Sequence, residues 1–102
     1  MEKELELTTK KDGSQMEVFL KGEINTNTAP ELKELLDNEL DGINLLLLNF
    51  AECDFVSSAG LRVLLNTFKS MKSSGGQMKL QNIGPNFKEV LYITGLDAVF
   101  QV

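Results

Sequence analysis

The fold is decided by residues 45–65, which read LLLLNFAECDFVSSAGLRVLL. The leading run of four leucines predicts a strand buried on both faces, because a short continuous apolar run is typical of a central strand with helices packed on it. Residues 49–56 are interpreted as the loop that follows this strand. Beyond the loop, a second helix is predicted from about Ala59 to Lys72. Its apolar positions follow helical spacing and mark its core face: Leu61, Leu64, Leu65, Phe68 and Met71.

Two strands and a helix are predicted before this stretch. Alternating apolar residues indicate strands between Leu5 and Gly22, joined by a loop over residues 9–14 that is longer than a tight two-residue turn. Thr28 and Glu31 have the spacing of a capping box, in which both side chains satisfy free backbone donors at a helix start. The helix that follows carries one apolar stripe and ends at residues 41–42.

A strand, a helix and a last strand are predicted after the second helix. Met78 and Leu80 indicate a strand, and Gly84-Pro85 opens a third helix that ends at Gly95. Residues 98–102 are interpreted as a last, short strand. The order is therefore β-β-α-β-α-β-α-β, an α/β class. We expect one domain over residues 1–102, with a mostly parallel or mixed sheet and its helices packed on one face.

Composition excludes several kinds of chemistry. The 102 residues include no histidine and one cysteine, so the chain has no histidine base, no internal disulfide and no cysteine zinc cage. The formal net charge of −5 makes nucleic acid an improbable partner. The charged start and the four-residue limit of the longest apolar run, Leu45–Leu48, argue against a signal peptide or a membrane span. We therefore expect a cytoplasmic protein without metal or cofactor.

Two serines stand at the predicted start of the second helix. The free N–H groups and the dipole of a helix N-terminus favour an anion, so a phosphate on Ser57 or Ser58 would be well placed. Gly60, in the first turn, would leave room for the active site of a kinase. The alternative is structural, since a serine at a helix start is most often an N-cap.

The segment DFVSSAGL, residues 54–61, resembles the signature of the STAS domain, the fold of bacterial anti-sigma factor antagonists. The family pattern is roughly Asp-Ser-Ser/Thr-Gly-Leu at the start of the second helix. The resemblance covers nearly the whole chain, because four further segments follow the family pattern in order. These segments are residues 22–32 (GEINTNTAPEL), 48–50 (LNF), 74–76 (SGG) and 94–96 (TGL).

This resemblance implies a signalling switch. In the family, the first serine, two positions before the glycine, is phosphorylated by a partner kinase, and that position is Ser58 here. Ser57 stands where the family often has aspartate, which leaves it as a second candidate acceptor. The implied partners are an anti-sigma factor with serine kinase activity and a serine phosphatase. Binding of the unmodified protein would release a sigma factor, and phosphorylation would end the binding.

The implied partner-binding face extends beyond the two serines. Ala59 and Gly60 follow them directly, and Arg62 lies one turn into the helix, where it is either a contact to a phosphate or partner carboxylate or a solvated surface residue. The segment Asn25, Thr26 and Asn27 follows the second strand. In the family, the position of Asn25 contacts the partner, whereas by itself an asparagine here is a turn residue bonded to its own backbone.

Two other functions remain open. A STAS domain that is never phosphorylated would use the same face as an interaction module in a signalling or transport complex. A small enzyme or nucleotide-binding protein is disfavoured, because Ser74-Gly75-Gly76 lacks the tail of a phosphate-binding loop. Glu52 and Asp54 carry oxygen ligands suited to Mg²⁺, but two acids in a loop are more often solvated. Cys53, flanked by those acids, is interpreted as a packing residue.

Overall fold

The computed structural model describes residues 3–102. Its first seven elements follow the predicted order, and the eighth is a helix. The strands are β1 (Leu5–Asp12), β2 (Gln15–Ile24), β3 (Leu45–Val56) and β4 (Gln77–Gln81). The helices are α1 (Ala29–Glu39), α2 (Ser58–Ser73), α3 (Pro85–Thr94) and α4 (Leu96–Phe100).

The four strands form one mixed sheet in the order β1-β2-β3-β4. β1 is antiparallel to β2, and the pairs β2–β3 and β3–β4 are parallel. Buried and exposed residues alternate along β2 and β4, and the buried ones join helix residues in one hydrophobic core. The helices therefore cover one face of the sheet and leave the other open, as predicted.

The leucine run differs from the prediction because one face of the sheet is open. Leu46 and Leu48 are fully buried, whereas Leu45 and Leu47 point the other way and are only half-buried. The central strand is therefore buried on one face, not on both.

Residues 49–56 continue β3 and do not form the predicted loop. Pairing with β2 proceeds from Phe19↔Asn49 to Lys21↔Glu52 and then to Glu23↔Phe55, so β3 carries one extra residue at each step. Such one-residue bulges bend a strand without ending it. The Asn49 side chain helps here, because its Oδ1 accepts from the backbone N–H of Ala51 at 3.0 Å. Polar residues that indicated a loop are thus accommodated at bulges.

The turn between β1 and β2 and the start of α1 also differ from the prediction. Asp12 pairs with Gln15, so the hairpin closes with two residues, and Gly13 adopts a positive φ of 62° that glycine allows at little cost. At α1, Thr28 makes no capping bond to the helix. Its Oγ1 instead accepts from the Asn25 N–H at 2.8 Å and donates to the Glu23 carbonyl at 2.8 Å, so the hydroxyl ties the helix start to the end of β2 and the capping box does not form.

The last element is α4, and no strand forms over residues 98–102. Gly95 takes the left-handed conformation with φ 75°, which ends α3 as predicted and starts α4 directly. The Phe100 ring then packs edge-on against Phe68 of α2 with centroids 5.5 Å apart, and Phe100 is 4% exposed. A short apolar run fits strand and buried helix equally well, and here this aromatic contact stabilises the helix.

None of the helices within residues 3–102 has both the length and the apolar character needed to cross a membrane.

Candidate functional site

The carboxyl ends of β2 and β3 lie side by side at one edge of the sheet. Ile24 pairs with Val56, and the Ser57 N–H donates to the Ile24 carbonyl at 2.8 Å, one residue beyond the last strand pair. The segment after β2, residues 25–27, is therefore a neighbour of the serines after β3. This is the edge at which parallel sheets commonly present ligand and partner sites.

The two serines have different environments. Ser57 is the N-cap of α2, with extended backbone and a side chain that accepts from the Gly60 N–H at 3.4 Å. It is half-buried, whereas Ser58 is the first helical residue and is exposed. Within residues 3–102 the Ser58 hydroxyl has no hydrogen-bond partner, so it is the freer of the two hydroxyls.

Gly60 faces the sheet and not a partner. It is buried, and a Cβ built on it would stand 2.6 Å from Ile24 Cγ2 and 2.8 Å from Val56 Cγ1. The absent side chain therefore lets the first turn of α2 approach β2 and β3 closely. The idea that Gly60 leaves room for a kinase is wrong in this respect, because the space it frees is already filled by the core. Its neighbour Ala59 is half-buried and packs against the same core.

Asn25 is bonded mainly to its own turn. Its Oδ1 accepts from the N–H of Asn27 at 2.8 Å and of Thr28 at 3.0 Å. Its Nδ2 donates to Glu4 Oε2 at 3.2 Å. Of the two interpretations of Asn25, the structure therefore shows the turn residue. The residues it positions, Thr26 and Asn27, are exposed beside the serines.

Phe55 is an exposed aromatic that the sequence analysis missed. Its side chain is 53% exposed, although it lies between the buried Cys53 and Val56. The signal that could have found it is the sequence DFV at the end of β3. If residues 49–56 form a strand, side chains alternate in direction, so the residue before the buried Val56 points outward. This large exposed side chain, three residues before Ser58, offers apolar area that a protein contact could bury.

Arg62 lies four residues after Ser58 and thus on the same side of α2. It is exposed, and within residues 3–102 it takes part in neither of the two ion pairs, Lys11–Glu39 and Lys33–Asp37. Its guanidinium is therefore available to an outside acceptor.

Asp54 holds the start of α3. Its Oδ1 accepts from the Phe87 N–H at 3.1 Å, and its Oδ2 accepts from Asn86 Nδ2 at 3.0 Å and from the Asn86 N–H at 3.4 Å. A Cβ on Gly84 would collide with this carboxylate. Asp54 is thus a helix cap supplied by a neighbouring strand. In the described part of the chain, no group of three or more acidic or cysteine side chains is placed to hold a metal ion.

Cys53 is a packing residue, as predicted. It is 1% exposed, and its Sγ lies 3.7 Å from the Phe55 carbonyl. Burial raises the pKa of the thiol to about 11. A thiol of this kind is protonated at neutral pH and is a poor nucleophile.

Comparison with known proteins places these features in a family. The STAS domain model matches residues 6–102. The anti-sigma-B factor antagonist of Bacillus subtilis is 29% identical over 98 residues, which cover 96% of this chain and 90% of that protein. The fold is also that of the anti-sigma factor antagonist SpoIIAA. Its unphosphorylated form superposes with a TM-score of 0.82 over 91% of this chain and 84% of that one, at 17% identity. The phosphorylated form of SpoIIAA from Bacillus gives 0.75 over 91% and 86%, also at 17% identity.

Proposed function

Because this chain belongs to the STAS domain family, we propose that it is an anti-sigma factor antagonist in which the Ser58 hydroxyl is the phosphate acceptor. The observation that carries the proposal is the contrast between the two serines. Ser57 is engaged as the N-cap of α2, while Ser58 is exposed and its hydroxyl is free. A kinase therefore meets Ser58 first.

The partner binds a surface that we call the docking face. It lies at the carboxyl ends of β2 and β3 and consists of the exposed residues Thr26, Asn27, Phe55, Ser58 and Arg62, with Phe55 on the open side of the sheet and Arg62 on the helix side. Phe55 supplies an apolar anchor, since it is the large apolar side chain of this surface and 53% of it is exposed. The amide, hydroxyl and guanidinium groups around it supply directional contacts. An exposed aromatic side chain beside polar groups is common at protein interfaces.

Phosphorylation then acts by local electrostatics. A phosphate on Ser58 adds about −1.5 to −2 charges in the middle of the docking face, where a partner surface would have to bury them. A loss of only about 3–4 kcal/mol weakens binding a few hundred-fold. The free protein keeps its fold, because the N-terminus of α2 favours a nearby anion and the acceptor is exposed. The switch thus needs no refolding.

The partners in this proposal are an anti-sigma factor with serine kinase activity and a serine phosphatase. The unmodified chain binds the anti-sigma factor and frees the sigma factor, the kinase ends this binding, and the phosphatase restores it. The chain itself is a substrate and a binding protein, not an enzyme.

The test is a pull-down from native lysate with wild type, Ser58→Ala and Ser58→Glu as baits, followed by mass spectrometry. We expect wild type and Ser58→Ala to retain an ATP-binding kinase and Ser58→Glu to lose it. Ser73→Glu is the matched control, because it places the same charge on an exposed serine at the opposite end of α2, outside the docking face. Ser58→Ala should also abolish phosphate incorporation by the retained kinase.

Three results would contradict the proposal. Full phosphate incorporation into Ser58→Ala would move the acceptor to Ser57 or elsewhere. Equal retention of one partner by all baits would favour an interaction module that is never phosphorylated. A large fall in the melting temperature of Ser58→Glu would mean that Ser58 has a structural role.

A further inference from the structure

The free edge of β1 carries unpaired backbone groups. β1 is an outer strand of the sheet, and the Glu23 N–H donates to the Glu4 carbonyl at 2.8 Å. In an antiparallel pair such bonds recur at every second residue, so the N–H and C=O groups of Leu5, Leu7 and Thr9 point away from β2. A strand edge of this kind is a template for another extended chain.

A groove of about 550 Å³ runs between this edge and α1. Leu7 and Leu35, both half-buried, contribute its apolar part. On the α1 side it is bordered by Glu31 and Glu34, both exposed, and by the Asn38 amide. The rest of its lining comes from the strand side: Lys3, Leu5, Glu6 and Thr8.

Acidic side chains outnumber basic ones in this groove, which has Glu6, Glu31 and Glu34 against Lys3. Glu31 has the sequence position of a capping-box residue, yet the box does not form, and its carboxylate faces the groove instead. The ion pairs of residues 3–102 join Lys11 to Glu39 and Lys33 to Asp37, so neither Glu31 nor Glu34 belongs to one. These two carboxylates therefore favour a basic group lying along the edge.

The two halves of β1 are protected differently. Lys10 and Lys11 occupy the half near the hairpin, and lysines on an edge strand commonly prevent further pairing. The half that borders the groove, residues 5–9, has no lysine. The edge of β1 is therefore free to pair with another strand along the acidic groove and is protected from pairing near the hairpin.

We propose that this groove binds an extended basic segment of a partner protein, which adds to β1 as a fifth strand. Its backbone bonds to Leu5, Leu7 and Thr9, as in other cases of strand addition. Every second side chain then faces α1, where lysine or arginine meets Glu31 or Glu34 and an apolar side chain meets Leu35. The net charge of −5 adds long-range attraction for such a segment. This binding mode does not depend on phosphorylation of Ser58.

The probe is a synthetic seven-residue peptide that alternates lysine with valine, titrated into the full-length ¹⁵N-labelled protein. We expect shifts of the β1 amides and slowed hydrogen exchange at Leu5, Leu7 and Thr9. The Glu31→Gln/Glu34→Gln double variant should bind about fivefold or more weakly at low salt, because each replaced carboxylate removes one screened ion pair. Glu89→Gln, an exposed acid of α3, is the matched control and should bind like wild type.

Two further peptides test the mechanism. A version N-methylated at alternate positions loses donors and should not bind as a strand, and a version alternating glutamate with valine should be repelled. Shifts that avoid β1, equal binding of the methylated peptide, or no effect of the double variant would each overturn the proposal. Protein-concentration-dependent shifts of the β1 amides without peptide would also overturn it, since the occupant would then be a second copy of this chain.

Discussion

Replacing Asp54 with alanine removes the cap that β3 supplies to α3. Three hydrogen bonds end on this carboxylate, from the Phe87 N–H at 3.1 Å, Asn86 Nδ2 at 3.0 Å and the Asn86 N–H at 3.4 Å. Loss of an N-cap side chain costs about 0.5–2 kcal/mol, and loss of a negative charge at a helix N-terminus costs a further 0.3–1 kcal/mol or so. The neighbouring Gly84 offers no substitute acceptor side chain. We therefore expect the free energy of unfolding to fall by about 2 kcal/mol.

The measurement is urea unfolding followed by circular dichroism, with thermal melting alongside. For a domain of this length, a loss of about 2 kcal/mol corresponds to a fall in melting temperature of roughly 8–16 °C. Asp54→Asn keeps one acceptor oxygen without the charge and should lose about half as much free energy as Asp54→Ala. Hydrogen exchange should show the Phe87 amide exchanging faster in Asp54→Ala, where it loses its acceptor.

Glu52→Ala is the matched control for this experiment. Glu52 is also a carboxylate on β3, two residues earlier, but it is exposed and bonds to no helix start in the described chain. Its replacement should change stability by no more than about 0.5 kcal/mol. If Asp54→Ala and Glu52→Ala destabilise equally, or if the Phe87 amide exchanges no faster, the capping argument is wrong.

Two further substitutions test the packing next to the docking face. Gly60→Ala should lower the free energy of unfolding by about 1–2 kcal/mol, because overpacking against Ile24 and Val56 outweighs the gain in helix propensity. Urea midpoints of Val56→Ala/Gly60→Ala should show less than additive loss, and additive losses would refute the steric account. Cys53 should remain unreactive towards a thiol reagent at pH 8 in the native protein. Since its pKa is raised to about 11, the native state binds more protons than the unfolded state above about pH 9, so stability falls as pH rises from there. Urea unfolding measured against pH should show this fall in wild type and not in Cys53→Ala. An identical pH dependence of stability in both proteins would contradict the prediction.

The serine pair and its helix could be predicted from sequence because the signals there are local. An apolar stripe with helical spacing locates α2, and Ser57 and Ser58 fall at its start in the structure as predicted. The local sequence pattern could not show which of the two hydroxyls caps the helix and which is free. Their difference depends on the backbone angles that turn Ser57 towards Gly60, and composition does not reveal them.

The errors lie where tertiary contacts override local patterns. Thr28 has the sequence of a cap, but its hydroxyl oxygen accepts from the Asn25 N–H and its proton goes to the Glu23 carbonyl, so the hydroxyl bonds to the turn before α1 and not to the helix. Phe100 belongs to a run that fits a strand, but in the structure it packs against the ring of Phe68 from a short helix. The exposure of Phe55 was not predicted for a related reason, because a segment interpreted as a loop has no defined inward and outward side.

The two bulges in β3 have a consequence for the lengths that this strand can take. Buried positions fall on even residue numbers up to Phe50, shift to the odd number at Cys53, and return to an even number at Val56. Each shift coincides with one extra residue on β3, so the side chains on both sides of each bulge keep the facing that β2 sets. Deleting the extra residue of one bulge would remove that bulge and keep the direction of the buried side chains beyond it, whereas deleting a residue from the regular part of the strand would turn every following side chain over. The two bulges are therefore the places at which β3 can change its length without turning its buried residues away from the core.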